Sequence, residues 1–311
     1  MESHTPIRIS WMQNFAPAPV PLPSLDELIA EVENLSPKQV LSREEDRLVF
    51  KHGDKCVVKL GKGVNLLEGE NMLIVQQYTH IPVPALYAMY HDEANDIKAI
   101  IVEYIPGKTL LECYHDLSDL QKASIGAQLR SHLAALRKVP TPGLYGRLGD
   151  RPFLALPWVF KEQVGPFTSA EEFLEAYFES QFTNLDRSGQ VIIDQMKTKF
   201  LRLSVNHHTP VFTHADLQAK NIMLRDDDTV CIIDWESAAF CPEYFEFFIY
   251  GTFDMASAGL SRDTYDPILD FEEMVSLIKE VWGTFVEIRN TGPDKDVRDK
   301  DRQDHAKTAD E

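Results

Sequence analysis

The segment His214-Ala215-Asp216-Leu217-Gln218-Ala219-Lys220-Asn221, with Asp234 thirteen residues beyond its end, constrains this chain more than any other stretch. Between Asn221 and Asp234 lie two short apolar runs, Ile222-Met223-Leu224 and Val230-Cys231-Ile232-Ile233, on either side of the acidic cluster Asp226-Asp227-Asp228. Apolar runs around a turn cluster predict a β-hairpin. A hairpin returns on itself, so Asn221 and Asp234 come to lie side by side, where both can reach one metal ion. The three turn acids read as solvated. Moving a phosphoryl group from a nucleotide to an alcohol needs a carboxylate that orients the attacking hydroxyl and takes its proton. It also needs oxygen ligands that hold magnesium against the phosphates. The pattern H-x-D-L-x-x-x-N supplies Asp216 for the first task and Asn221 for the second, and Asp234 is the second metal ligand.

Together with Ile232-Ile233-Asp234-Trp235-Glu236, the motif resembles the catalytic loop and metal-binding segment of the aminoglycoside phosphotransferase and choline kinase-like family of small-molecule kinases. The likeness spans roughly residues 40–260. It implies an α+β, bilobal protein-kinase-like fold, with a small antiparallel-sheet N-lobe and a mainly helical C-lobe. It also implies ATP and Mg2+ as the donor pair and a small-molecule hydroxyl as acceptor. Cys56-Val57-Val58-Lys59-Leu60 resembles the lysine strand of kinases, which places Lys59 at the α- and β-phosphates and Val57, two residues earlier, against the adenine face. A semi-buried lysine needs a counterion. The family's apolar helix positions, matched by Met72 and Val75, select Glu68 for that role, with Glu70 still open. Ile101-Val102-Glu103-Tyr104-Ile105 resembles the hinge that meets adenine through the carbonyl of Glu103 and the amide of Ile105. His214 is expected to support the metal-binding segment rather than act as a base. Trp235 and Glu236 are expected to contact substrate or pack. Gly165-Pro166-Phe167 is similar to a recurrent feature of fungal-type members, near the acceptor pocket.

One departure stands out. No G-x-G-x-x-G precedes Lys59, and Gly61 and Gly63 follow it, as a turn would. Residues 42–46 occupy the place of the shorter, serine-containing phosphate loop of the family.

The rest of the chain fits two lobes. Residues 1–39 read as a proline-rich arm and a helix opened by the capping box Ser24-Leu25-Asp26-Glu27 and running to about Asn34. Residues 40–105 read as the nucleotide-binding N-lobe: a hairpin over 47–60, a helix over 68–78, and strands over 85–90 and 99–104. Residues 106–290 read as the helical C-lobe with the catalytic loop and acceptor site. Ser118-Asp119-Leu120-Gln121 opens a helix with Ile125, Leu129, Leu133 and Leu136 as its core stripe. Ser169-Ala170-Glu171-Glu172 opens another, with Phe173, Tyr177 and Phe178 facing inward. Helical segments are expected to about Arg289, and residues 291–311 read as a disordered charged tail.

Composition excludes other classes. A formal charge of −18 disfavours nonspecific binding to nucleic acid or anionic membrane. No apolar run is long enough to span a bilayer, and no basic stretch precedes a long apolar one near residue 1. Cys56, Cys113, Cys231 and Cys241 show neither zinc nor disulfide spacing, so a reducing cytoplasm is expected. A monomer or weak homodimer is expected. Two alternatives compete: a catalytically inactive kinase-fold module that binds nucleotide or a partner, and a protein kinase. The intact Lys59, Asp216, Asn221 and Asp234 weigh against the first. Against the second, no arginine lies between His214 and Asp216. Only a handful of residues separates Asp234 from Cys241-Pro242-Glu243, too few for a peptide-docking activation segment.

Overall fold

A computed structural model describes residues 15–155, 159–181, 187–203 and 207–246. The sequence readings that fall on 1–14 and on 247–311, including the late helices and the charged tail, lie outside the described residues.

The N-terminal lobe is a five-stranded antiparallel sheet in the order β1-β2-β3-β5-β4. Its strands are β1 (Val40–Arg43), β2 (Arg47–His52), β3 (Cys56–Gly61), β4 (Leu86–Asp92) and β5 (Ile97–Glu103). Period-two alternation sorts its faces. On β3, Cys56, Val58 and Leu60 are buried on one face, while Val57 and Lys59 are half-buried on the other. The first face carries one core, made with Phe50, Ile101 and Leu28. Leu28 belongs to α1 (Leu25–Val32), whose N-terminus has both hydrogen bonds of the expected capping box. The arm also lies on this sheet: the Ala16 amide donates to Leu86 O at 2.9 Å and the Tyr90 hydroxyl to Pro23 O at 3.0 Å. The second face shares a core with α2 (Leu67–Tyr78) through Leu86, Ile100 and Val102.

Gly107 leads from the sheet into the second lobe. Its φ is +133°, and a Cβ there would lie 2.2 Å from the Leu224 carbonyl oxygen, so only glycine fits this approach. Next come β6 (Lys108–Thr109), α3 (Leu110–Cys113) and α4 (Asp119–Leu136). Ser118 and Gln121 close the capping box at the start of α4, and Ile125, Leu129, Leu133 and Leu136 are buried as the stripe requires. In α5 (Ala170–Gln181), Ser169 Oγ accepts from the Glu172 amide, while the Glu172 carboxylate turns back to Thr168 instead. Phe173, Tyr177 and Phe178 are buried.

The sequence pattern missed α6 (Arg187–Leu203). Its stripe of Ile193, Met196 and Phe200 is buried, but exposed Val191 and Ile192 beside it blur the period. Two short strands were also missed: β7 (Pro210–Thr213) pairs with β10 (Ala239–Pro242). The expected hairpin forms from β8 (Ile222–Leu224) and β9 (Val230–Ile232), with β6 added on its outer side. The whole is the α+β, two-lobe architecture anticipated from the motif.

Two glycines of the N-lobe separate conformation from crowding. Gly61 has φ +140°, and an added Cβ would meet the Asp46 carbonyl oxygen at 2.1 Å; Gly53 has φ +59° and open space around it. Gly53→Ala is expected to cost about 1 kcal/mol of stability. Gly61→Ala should cost more than about 2 kcal/mol, because the Asp46 backbone must also move. Urea unfolding midpoints of the two variants check the difference, and equal losses would contradict it.

Candidate active site

The loop after β7 is held in an unfavourable backbone shape. Ala215 has φ +62°, in the left-handed region that a residue with a Cβ rarely occupies. A buried carboxylate maintains it: Glu246 Oε2 accepts from the amides of His214 at 2.8 Å and Ala215 at 3.3 Å. The sequence reading did not identify Glu246. Its signal was a lone acid inside Tyr244-Phe245-Glu246-Phe247, where aromatic neighbours imply burial. Burial pushes its carboxyl up to about 7, against the pull of the two amides and of Arg137.

His214 is fully buried, and burial lowers its pKa to about 4, so the ring is neutral. Its Nε2 lies 3.0 Å from the Ile233 carbonyl and its Nδ1 accepts from the Asp216 amide at 3.2 Å. That pair of bonds assigns the proton to Nε2. The ring also packs on Trp235, with centroids 4.6 Å apart. His214 therefore ties the loop to the segment leading into Asp234. Trp235 is completely buried and donates from Nε1 to Ile232 O, so of the two roles considered for it, it packs.

Asp216 is buried between donors. Gln218 Nε2 reaches Oδ1 at 2.6 Å, Asn221 Nδ2 reaches Oδ2 at 2.9 Å, and Lys220 Nζ stands 3.6 Å from Oδ2. Burial raises its carboxyl above the ordinary range against all three. Asn221 also donates to the Asp216 carbonyl, so its side-chain oxygen is the atom that could hold a cation. The Ile233 amide donates to the Asn221 carbonyl at 2.9 Å, so the ladder sets Asn221 beside the residue that precedes Asp234.

On the sheet side of the site, Lys59 Nζ sits between two carboxylates: 2.8 Å from Glu68 and 2.7 Å from Asp234. Burial works against its charge, but Glu68, Asp234 and Glu236 outweigh burial and raise its pKa. Burial likewise lifts Glu68; burial pushes Asp234 the same way, but Lys59, helped by His214 and Arg47, outweighs it and holds Asp234 below the usual carboxylate range. Asp234 itself has φ +65°. The choice the sequence left open is resolved geometrically: Glu68 faces Lys59, and Glu70 faces away, to Arg151 at 3.1 Å. Glu236 pairs with Arg47 at 2.6 Å. Glu68, Asp234 and Glu236 offer carboxylate oxygens within 4.8 Å of one another, an all-oxygen set of the kind hard divalent cations select.

At the hinge, Ile105 is buried and Val57 lies half-buried against the central core. The Glu103 side chain accepts from the Ala85 amide and from Arg225. Residues 44–46 make a tight turn: the Glu44 amide donates to Arg47 O and the Gly63 amide to Asp46 O. Gly61 and Gly63, read from sequence as a turn, form the seat on which Asp46 rests. Phe167 packs with Phe153, Phe160 and Phe173 in an aromatic cluster beside Tyr145.

A family model described as the phosphotransferase enzyme family matches residues 39–266. The chain belongs to that family. Among curated proteins none matches it. Solved structures give the same fold at low identity. A thermostable variant of aminoglycoside phosphotransferase APH(4)-Ia, in its apo form, has TM-score 0.56 and 16% identity over 86% of this chain and 91% of that one. A GDP complex of an aminoglycoside 2'-phosphotransferase-IIIa variant has TM-score 0.56 and 14% identity over 88% and 90%. A ternary complex of a further thermostable APH(4)-Ia variant with AMP-PNP and hygromycin B has TM-score 0.53 and 15% identity over 79% and 83%.

Glu246 gives a pH test. Its folded pKa of about 7 exceeds the unfolded 4.5, so its contribution to stability is complete below the unfolded value and is lost as pH rises through the folded one. Between pH 4.5 and 8 this group alone should remove roughly 3 kcal/mol. Glu246→Gln should flatten that part of the stability profile measured by urea unfolding. A variant with the wild-type slope would contradict the assignment.

Proposed function

We propose that this chain transfers the γ-phosphoryl group of ATP, with magnesium, to the hydroxyl of a small molecule. The observation that carries the reading is a pair of neighbouring charge centres, Lys59 between Glu68 and Asp234, and Asp216 with Asn221, close enough that Asp234 acts electrostatically on Asp216.

Asp216 receives the acceptor alcohol and takes its proton as the new oxygen–phosphorus bond forms and ADP leaves. A raised carboxyl is a better base than a solvated one, and Gln218 and Asn221 hold its two oxygens in fixed directions. Lys59, oriented by Glu68, donates to the α- and β-phosphates. The carbonyl of Glu103 and the amide of Ile105 face the adenine edge, and Val57 packs on the base. Asp234 and Asn221 would hold magnesium, with Glu236, whose carboxylate oxygen lies within 4.8 Å of one of Asp234, as a further oxygen donor, and the ion would supply charge neutralisation at the phosphates. Most of the rate comes from position and charge, since the loose transition state asks little covalent chemistry of the protein.

The acceptor is expected to be an aminoglycoside, a choline-like amine, a sugar or a specialised metabolite that carries a hydroxyl. APH(4)-Ia, in its ternary complex, holds hygromycin B, an aminoglycoside. After Asp234 the chain passes through the single turn Trp235–Ser237 directly into β10, which leaves no loop to dock a peptide. No helix among the described residues is long and apolar enough to cross a membrane. A cytoplasmic monomer or weak homodimer, without nucleic acid or membrane partners, remains the expectation.

Incubating the protein with magnesium-ATP and a panel of hydroxylated small molecules should yield one acceptor class gaining a single phosphoryl group by mass spectrometry. Asp216→Ala should lower that turnover by about 10²- to 10⁴-fold while keeping the thermal shift caused by magnesium-ATP. Full activity in the variant would overturn the role of Asp216.

A further inference from the structure

The tip between β1 and β2, where a nucleotide kinase presents backbone amides to the phosphates, is here Glu44-Glu45-Asp46. It offers three consecutive carboxylates and no glycine. The Glu44 amide is already bonded within the turn. A triphosphate arriving at this edge meets repulsion, unless another group supplies positive charge.

Arg47 is placed to do so. It opens β2, where Val49 pairs directly with Lys59, and Arg47 lies two residues from Val49 on the same strand. Residues two apart on a strand share a face, and so do residues directly opposite on neighbouring strands. Arg47, Val49, Lys59 and Val57 therefore line one face, the one that looks into the cleft. The burial of β2 agrees: Leu48 and Phe50 are buried on the opposite face.

The guanidinium is also held in advance. One terminal nitrogen donates to Glu236 at 2.6 Å, and the other to both oxygens of Glu44, at 2.9 and 3.0 Å. A guanidinium has five N–H donors, so three contacts fix its plane and leave two donors over. Its side chain is only 17% exposed, which strengthens any further bond it makes. Around the nucleotide cleft, Lys59 and Arg47 are two cations among four carboxylates: Glu44, Glu68, Asp234 and Glu236. Removing either cation leaves a strongly negative edge.

We infer that Arg47 is a phosphate-binding residue of this chain, contacting the β- or γ-phosphate of the nucleotide in place of the missing glycine-rich loop. The inference rests on the nucleotide reading of the cleft and adds a residue that the lysine-strand and catalytic-loop motifs do not contain. Glu44 and Glu236 are positioning residues for it.

Calorimetric titration of the full chain with magnesium-ATP and, separately, with adenosine tests the assignment. Arg47→Met should weaken magnesium-ATP by about 10- to 100-fold and leave adenosine within about 2-fold, with Arg47→Lys recovering part of the loss. Equal weakening of both ligands, or unchanged magnesium-ATP affinity, overturns it. Wild-type protein provides a second measurement should the variants not fold. Magnesium-ATP, but not adenosine, should protect Arg47 from an arginine-selective dicarbonyl reagent, read by peptide mass mapping; equal modification in both overturns the assignment. A wild-type chain that binds neither ligand overturns the phosphotransferase reading and this inference with it. Loss confined to the Arg47 variants leaves that reading standing.

Discussion

The organisation of the cleft depends on the ammonium of Lys59 held between Glu68 and Asp234. A lysine removed from water retains its charge only where carboxylates replace the hydration it loses. The three partners come from three different elements: Lys59 from β3, Glu68 from α2, and Asp234 from the end of the β8–β9 hairpin. A single charged group therefore fixes the distance between the sheet, its helix and the second lobe. Asn71 Nδ2, donating to the Trp235 carbonyl at 2.8 Å, braces the same junction from the buried side of α2.

Strain in the other half of the site is held by buried polar bonds. Ala215 and Asp234 both sit at positive φ, one beside Asp216 and the other in the ion pair with Lys59. Neither is glycine, so each conformation persists only because its surroundings enforce it. Glu246 enforces the first through two amides, and neutral His214 links the two segments through the Asp216 amide and the Ile233 carbonyl. The result is a preorganised pair of carboxylates whose orientation does not wait for substrate.

Much of this was legible in the sequence, for a physical reason. The hairpin was readable because turn acids between two apolar runs leave the chain few alternatives, and its closure placed Asn221 beside the start of the Asp234 segment. The capping boxes at Ser24 and Ser118 are local and formed as written. Glu68 as the partner of Lys59 was selected by the resemblance and is the one that faces it, but the residue pattern alone could not close off Glu70. Residues 67 to 75 of α2 are all buried, so no polar face marks which side points where, and the decision rests with Arg151, far along the chain. Glu246 and Arg47 were missed for the same reason: their partners are tertiary, and neither belongs to a motif of fixed spacing. Helix α6 escaped because apolar residues on its solvent side masked a short inward stripe.

The central claim is that Lys59 and Asp234 act as one unit across the lobes, and a double-mutant cycle tests it most directly. Thermal or urea unfolding of Lys59→Met, Asp234→Asn and the double variant should give a coupling energy of about 1–3 kcal/mol, with the double variant less damaged than the sum of the two single ones. Additive losses, with no coupling beyond error, would mean that the two residues do not meet and that the cleft is held together by something else.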